Sequence, residues 1–226
     1  NKQLISYLRK RYLNCKIILF FHDIVARDLK HNKQSDIIEA RKQVDKIIVY
    51  NKEDAEKYNV IYHPAGYSPL AGSQLAEFPH TDVVFIGAAK NRLVDIRKAY
   101  KLFTDNNLTC FFYVTEVSEE ERCCDGIIYG DKFLPYNECL ARENSADCLL
   151  EIIQEGSSGR TYRMMDAIIF NKKLITNCTE VLDLPYYKSG NIMLYNSIED
   201  INVEFVKNKK KIDYGYKGEF SNTNFL

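Results

Sequence analysis

The 226-residue sequence has no surplus charge of either sign, 31 Lys and Arg facing 31 Asp and Glu. No global field therefore draws in nucleic acid, and an anionic ligand must be met by a local patch. No apolar run approaches the roughly 20 residues that a bilayer-spanning helix needs. The useful ones are short, such as Ile17 to Phe21, and no signal peptide is visible, so the expected location is the cytosol. The seven cysteines (Cys15, Cys110, Cys123, Cys124, Cys139, Cys148, Cys178) include no Cys-x-x-Cys pair. Their odd number fits reduced thiols rather than a disulfide framework or a zinc site, and the adjacent Cys123 and Cys124 read as an inert loop pair. Also missing are GxxxxGK[ST] and GxGxxG, the full phosphate-loop and dinucleotide spacings. The chain does not open on methionine and is expected to begin inside a longer protein.

What is present centres on Leu149 to Asn177, LLEIIQEGSSGRTYRMMDAIIFNKKLITN. Leu149 to Ile153 is short and apolar enough for a buried strand and stops at the turn signal Gln154-Glu155-Gly156. Thr161 to Phe170 then sets Met164, Ile168 and Met165, Ile169 at helical spacing, Asn171-Lys172-Lys173 ends that helix, and Leu174 to Thr176 reads as the next strand. Strand, small-residue loop, helix and strand in a parallel sheet aim a helix N-terminus at the carboxyl edge, where anions bind. On spacing alone, Gly156 to Gly159 is equally a plain βα turn, and Arg163 with Asp166 equally a solvated i, i+3 ion pair.

Upstream, the sequence predicts a helix over Asn1–Leu13, a strand over Lys16–Phe21, helices over Ser35–Val44 and Lys52–Tyr58, and a strand over Lys46–Tyr50 between them. His22 and Asp23 fall just past the first strand, where an α/β fold displays reactive groups, although a turn and a helix cap account for them as well. Val60 to Pro79 holds three of the five prolines and no periodicity, which reads as linker. The pattern restarts with a strand over Asp82–Ile86, a turn over Gly87–Asn91 and a helix burying Leu93, Ile96, Tyr100 and Phe103. Strands over Thr109–Val114 and Ile127–Tyr129 follow, with a solvated acidic connector around Glu116–Asp125 between them, and then a helix over Tyr136–Asn144. Beyond Asn177, Asn191–Tyr195 reads as a strand and Ser197 to Asp200 as a capping box opening a helix to about Val206. The lysine-rich Lys207–Lys211 fits either a solvated helix end or a contact with anionic lipid headgroups. The domain reading is 1–70 for a partial first α/β domain, 71–80 for the linker, 81–210 for the second α/β domain and 211–226 for a tail.

A spaced set of pieces adds to this: Asp82-Val-Val-Phe-Ile-Gly87, Tyr136-Asn-Glu-Cys-Leu140, Ser145-Ala-Asp-Cys-Leu-Leu-Glu151, then Gln154, Gly156, Ser158-Gly159, Thr161, Arg163, Asp166-Ala167 and Lys172-Lys-Leu-Ile-Thr-Asn177. In order and spacing they resemble bacterial glycosyltransferases of lipopolysaccharide and capsular polysaccharide synthesis, of GT-B architecture. The resemblance implies two Rossmann-like α/β domains, the first of them incomplete here, since only two strands are read before the linker. It implies a nucleotide-sugar donor held by the second domain, at Gly87, Gln154, Gly156, Ser157, Ser158, Gly159, Thr161, Arg163 and Asp166. Backbone and hydroxyl donors and the Arg163 guanidinium would meet the diphosphate, and Asp166, where the family usually has glutamate, would meet the ribose. The two-glutamate pattern of many retaining members fails, because Ser158 stands in the first place. A glycan or lipid-linked sugar acceptor would meet the first domain, with His22 or Asp23 as base and His63 also near the expected cleft. The Asp-x-Asp metal motif of the GT-A class is absent, so no metal cofactor is expected. A peripheral place at the cytoplasmic membrane face fits such a role. The alternatives are a non-catalytic sugar-nucleotide-binding protein on the same scaffold and a different nucleotide-dependent enzyme such as an epimerase.

Overall fold

Apolar periodicity of 2 and 3.6 alternates along this chain, and the structure, a computed structural model, converts it into parallel sheets flanked by helices. It describes residues 2–21, 25, 37–64, 66–67, 75–154 and 159–221. The chain divides into two units, Asn1–Gly66 and Tyr67–Leu226, and its character is mixed α/β and Rossmann-like.

In the first unit, α1 (Lys2–Arg11) precedes β1 (Ile18–Phe21), α2 (Ile37–Arg41), β2 (Lys46–Val49), α3 (Lys52–Tyr58) and β3 (Ile61–Tyr62). The three strands pair in parallel in the order β1-β2-β3, over a core of Phe21, Val25, Ile37, Val44, Ile47, Val49 and Ala55. Helix α3 is capped as its sequence asks: Asn51 accepts from the Asp54 N–H at 2.9 Å, and Asn59 closes the helix at φ 50°, a left-handed conformation that Asn tolerates. Strand β3 corrects the reading of Val60 to Pro79 as linker throughout. Two residues are too few to show alternation, and only the ladder to β2 makes them a strand.

The second unit contains β4 (Thr81–Ala88), α4 (Leu93–Asp105), β5 (Cys110–Thr115), β6 (Ile128–Tyr129), α5 (Tyr136–Asn144), β7 (Ala146–Glu151), α6 (Tyr162–Ile169), β8 (Lys173–Thr176), β9 (Ile192–Leu194) and α7 (Glu204–Lys207). Its six strands are all parallel, in the order β6-β5-β4-β7-β8-β9. Both faces are covered, so strand residues are buried in unbroken runs. Val83 and Phe85 of β4 enter the core with Ile96, Phe103, Phe112 and Val206, while Val84 and Ile86 enter the opposite one with Leu149, Met164, Ile168 and Leu174.

Three local readings shift. The capping box at Ser197 and Asp200 is present but opens a single 3-10 turn, Ile198–Asp200, and a separate short α7 follows. Lys173, read as the end of a helix, is the first residue of β8 and only 5% exposed. Its ammonium donates to the Phe205 carbonyl at 2.6 Å, and also to those of Val206 and Asn208, the orphan acceptors at the end of α7. Residues 211–221 lie along this unit, with Tyr214 and Phe220 buried in its second core.

In the lysine run, Lys207 pairs with Glu204 and Lys209 lies 2.5 Å from both Asp82 and Asp147. Burial alone would raise the Asp82 carboxyl, but hydrogen bonds from Lys209 and Thr109 hold it at about 2. A lowered folded pKa stabilises above the unfolded value of about 4, and that contribution is lost as pH falls toward 2. Lys209→Ala is expected to lower stability at neutral pH and to flatten the acid limb between about pH 4 and pH 2; thermal melts across that range check it. Among the described residues no helix is long and apolar enough to cross a membrane.

Candidate functional site

Strand order in the second unit reverses at β4: β5 and β6 extend the sheet on one side, and β7, β8 and β9 on the other. In such a doubly wound sheet, ligands bind at the carboxyl ends of the strands flanking the reversal, here Gly87-Ala88 on β4 and Glu151 on β7. Two guanidinium groups meet at this edge. Arg92 donates to the Ala88 carbonyl at 2.6 Å and to that of Ile152. Arg163, in the first turn of α6, donates to the Ile86 carbonyl and, through Nε, to Glu143 Oε1 at 3.3 Å. Their guanidinium carbons lie 5.9 Å and 5.2 Å from the centre of the Phe85 ring. Burial, then the charge of Arg163, holds Arg92 below its ordinary value, as expected for a desolvated cation with a second one nearby. The Arg92 Nε is buried and without a hydrogen-bond partner among the described residues.

The predicted residues fall around this pair. Gly87 lies beside Arg92, where an added Cβ would come 3.6 Å from its Nη2, an ordinary contact. Gly159 adopts φ 103°, a region glycine enters freely. Gln154 follows β7, in a stretch braced by the Asn177 side chain on the Ile153 N–H at 2.7 Å. Gly156, Ser157, Ser158, His22 and Asp23 lie outside the described residues, and His63 hydrogen-bonds through Nδ1 with the Pro64 carbonyl at 2.6 Å.

Thr161 and Asp166 are committed differently from their expected roles. Thr161 caps α6, accepting from the Met164 N–H at 3.2 Å, and its one hydroxyl proton goes to Glu151. Its side chain thus has no proton for a phosphate, although its backbone N–H remains a donor. Glu151 is 2% exposed and takes a second bond, at 2.5 Å, from Thr176. Asp166 is not a solvated partner of Arg163. It is 3% exposed and accepts from the Tyr67 hydroxyl, so its carboxyl is turned onto a protein group rather than held out for a ribose. Tyr67 also stacks on Tyr162 at 5.1 Å, shares a 2.5 Å hydrogen bond with Tyr136, and donates its N–H to the Phe220 carbonyl at 2.6 Å.

Beside this edge, a cleft of about 350 Å³ opens at the carboxyl ends of β5 and β6, lined by Thr115, Glu116, Arg122, Asp131 and Phe133 among others. That volume lies at the small end of the range for ligand sites. Arg92, Glu143, Tyr67 and this cleft had no marker in the sequence: each draws its meaning from a partner distant in the chain, and none sits in a recognisable spacing. Among the described residues, no group of three or more His, Cys, Asp or Glu is placed to hold a metal ion.

No family model matches the chain, and no curated protein matches it by sequence. Among solved structures, the N-terminal domain of trehalose-6-phosphate phosphatase from Candida albicans is similar over 90% of this chain, with a TM-score of 0.48 and 14% identity. The similarity takes in 58% of that structure, so this chain spans a little over half its length.

Proposed function

We propose that this chain is a nucleotide-sugar-dependent glycosyltransferase of GT-B type, or part of one, acting on a glycan or lipid-linked acceptor in bacterial surface polysaccharide synthesis. The second unit would hold the donor and the first the acceptor. The observation that carries this reading is the convergence of Arg92 and Arg163 on the carboxyl end of β4, at the reversal of strand order and beside the first turn of α6. Together they supply what a diphosphate needs: two forked cations, the positive end of a helix and a water-poor wall.

In the reaction, the bond from the anomeric carbon to the diphosphate breaks, one to the acceptor oxygen forms, and the acceptor proton passes to a base. His22 or Asp23 is proposed for that base. Negative charge grows on the departing diphosphate, so cations fixed before the reaction lower its barrier. The inward commitment of Asp166 favours one other reading, a sugar-nucleotide-binding protein without transfer activity; donor hydrolysis or transfer separates the two. A peripheral place at the cytoplasmic membrane face belongs to the same proposal.

The test is a thermal-shift panel of UDP, GDP, CMP and dTDP sugars and their free nucleotides. A matching nucleotide at about 100 times its dissociation constant is expected to stabilise the protein by roughly 2.7 kcal/mol. Arg92, Arg163 and α6 neutralise the diphosphate in this scheme, so the shift is expected to survive EDTA. No shift with any nucleotide refutes donor binding, and a strict need for manganese or magnesium refutes metal independence.

A further inference from the structure

Tyr67 is 6% exposed and stands where α5, α6 and the C-terminal stretch meet. Its hydroxyl has one proton, which goes to Asp166, so the 2.5 Å bond to the Tyr136 hydroxyl takes its proton from Tyr136, in the first turn of α5. Its ring stacks on that of Tyr162, with centroids 5.1 Å apart. Tyr162 and Asp166 are four residues apart on α6, so they lie on one face, one turn apart. Tyr67 therefore grips both ends of the first turn of α6, and Arg163 lies between them. The helix itself does not depend on this grip, because Thr161 caps it and Met164, Met165 and Ile168 bury its core face.

Tyr67 is held in turn by the C-terminal stretch. Its N–H donates to the Phe220 carbonyl at 2.6 Å. The Phe220 ring packs edge-on against Tyr186 at 5.9 Å, and Tyr186 edge-on against Tyr214 at 6.0 Å. Tyr214 is anchored just past the other end of α6: its N–H donates to the Asn171 side chain at 2.9 Å, and its hydroxyl lies 3.0 Å and 3.1 Å from the carbonyls of Lys172 and Asn191. Residues 214–220 thus tie the C-terminal end of α6 to its first turn, through Tyr67.

We propose that Tyr67 is a positioning residue for Arg163, fixing the first turn of α6 through Tyr162 and Asp166 while the C-terminal stretch holds Tyr67 itself. The inference rests on the phosphate role proposed above for Arg163. The guanidinium of Arg163 is bonded to the Ile86 carbonyl on β4 and to Glu143 on α5, so it meets both partners only if the first turn of α6 keeps its rotation against those elements. The stack on Tyr162 and the bond to Asp166 set that rotation at two points one turn apart. Binding groups act at full strength only when packing and supporting hydrogen bonds lock their directions. The C-terminal stretch then acts on anion affinity through Tyr67.

The experiment has two arms on the full chain. In the first, the Arg163 Nε–H signal and amide exchange across residues 162–166 are followed by NMR in the ligand-free protein. Tyr67→Phe keeps the ring and the backbone N–H but loses the hydroxyl, and Phe220→Ala loosens the C-terminal stretch. Both are expected to move the Arg163 signal and to speed exchange in that turn, and Phe220→Leu should restore both readouts. Phe103→Leu, a core change on the opposite face of the sheet, should lower the melting temperature and leave the Arg163 signal in place, which separates positioning from a general loss of stability. In the second arm, the dissociation constants of UDP, GDP and dTDP are measured. The nucleotide that binds the original protein is expected to bind Tyr67→Phe and Phe220→Ala about tenfold more weakly, and Phe220→Leu and Phe103→Leu as before. An Arg163 signal unmoved in Tyr67→Phe and Phe220→Ala, the same movement in Phe103→Leu, or an unchanged nucleotide affinity in both variants overturns the proposal. Absence of nucleotide binding by the original protein, with the Arg163 response intact, instead refutes donor binding and upholds the positioning of Arg163.

Discussion

Replacing Arg163 with alanine is expected to erase most of the stabilisation that a nucleoside diphosphate gives. A hydrogen bond to a charged group is worth about 1.5–3 kcal/mol, so losing the fork weakens binding by up to about a hundredfold. A ligand set at about 100 times the original dissociation constant would then sit near the new one, and its stabilisation would drop from roughly 2.7 to about 0.4 kcal/mol. The ligand-free variant should also melt earlier, because Glu143 is buried and loses the donor on its Oε1, at a cost of about 1–3 kcal/mol. Only the ligand-induced shift within each variant is therefore informative. Arg163→Lys should fall between, keeping a charge but not the planar fork. An Arg163→Ala protein that binds nucleotide as well as the original removes the phosphate assignment.

Phe112→Ala should be strongly destabilising, at about 3–5 kcal/mol. Phe112 is 1% exposed on β5, with the rings of Phe85, Tyr100 and Phe103 at 5.6, 5.2 and 6.5 Å. Three large side chains already fixed on β4 and α4 cannot all move in to fill the space. Its neighbour Phe111 faces the other side, half-buried under the Arg142 guanidinium at 3.9 Å, and Phe111→Ala should cost clearly less because solvent and Arg142 can occupy the gap. Urea melts of both variants test the pair, and equal losses would contradict the facing assigned to β5.

Elements whose pattern repeats within their own length were legible in the sequence. The apolar rows of α4 and α6 and the apolar run at Val83 to Ile86 need only local periodicity, and these elements formed where the pattern puts them. The loop before α6 was legible as a small-residue turn, but the positive φ of Gly159 and the place of Thr161 at the N-cap of α6, rather than inside the helix, emerged only in the structure. The site was illegible where a side chain is defined by its distant partner. Glu143 looks like any helix-surface acid until Arg163 closes over it, and Lys173 looks like a helix end until the carbonyls of α7 surround its ammonium. Tyr67 stood in a segment read as featureless linker, yet its hydroxyl and ring complete the surroundings of Asp166. The fates of Thr161 and Asp166 follow the same rule: type and spacing locate a residue near a site, but the competition for its protons is settled by neighbours the sequence does not order.

The all-parallel ladder of the second unit also has a consequence for how the chain assembles. Val83 pairs with Cys110 on one side and with Cys148 on the other, so one flank of the central strand can close as soon as a single helix has been made, while the other must wait until α4, β5, β6 and α5 have all been synthesised. Loop closure over that separation makes the second pairing the slow event. A half-built sheet of β4, β5 and β6 would meanwhile expose the edge of β4 that β7 later covers, a surface prone to pairing with another chain. Refolding yield should accordingly fall with protein concentration, and it should recover if the β7 to β9 half is supplied as a separate fragment in excess.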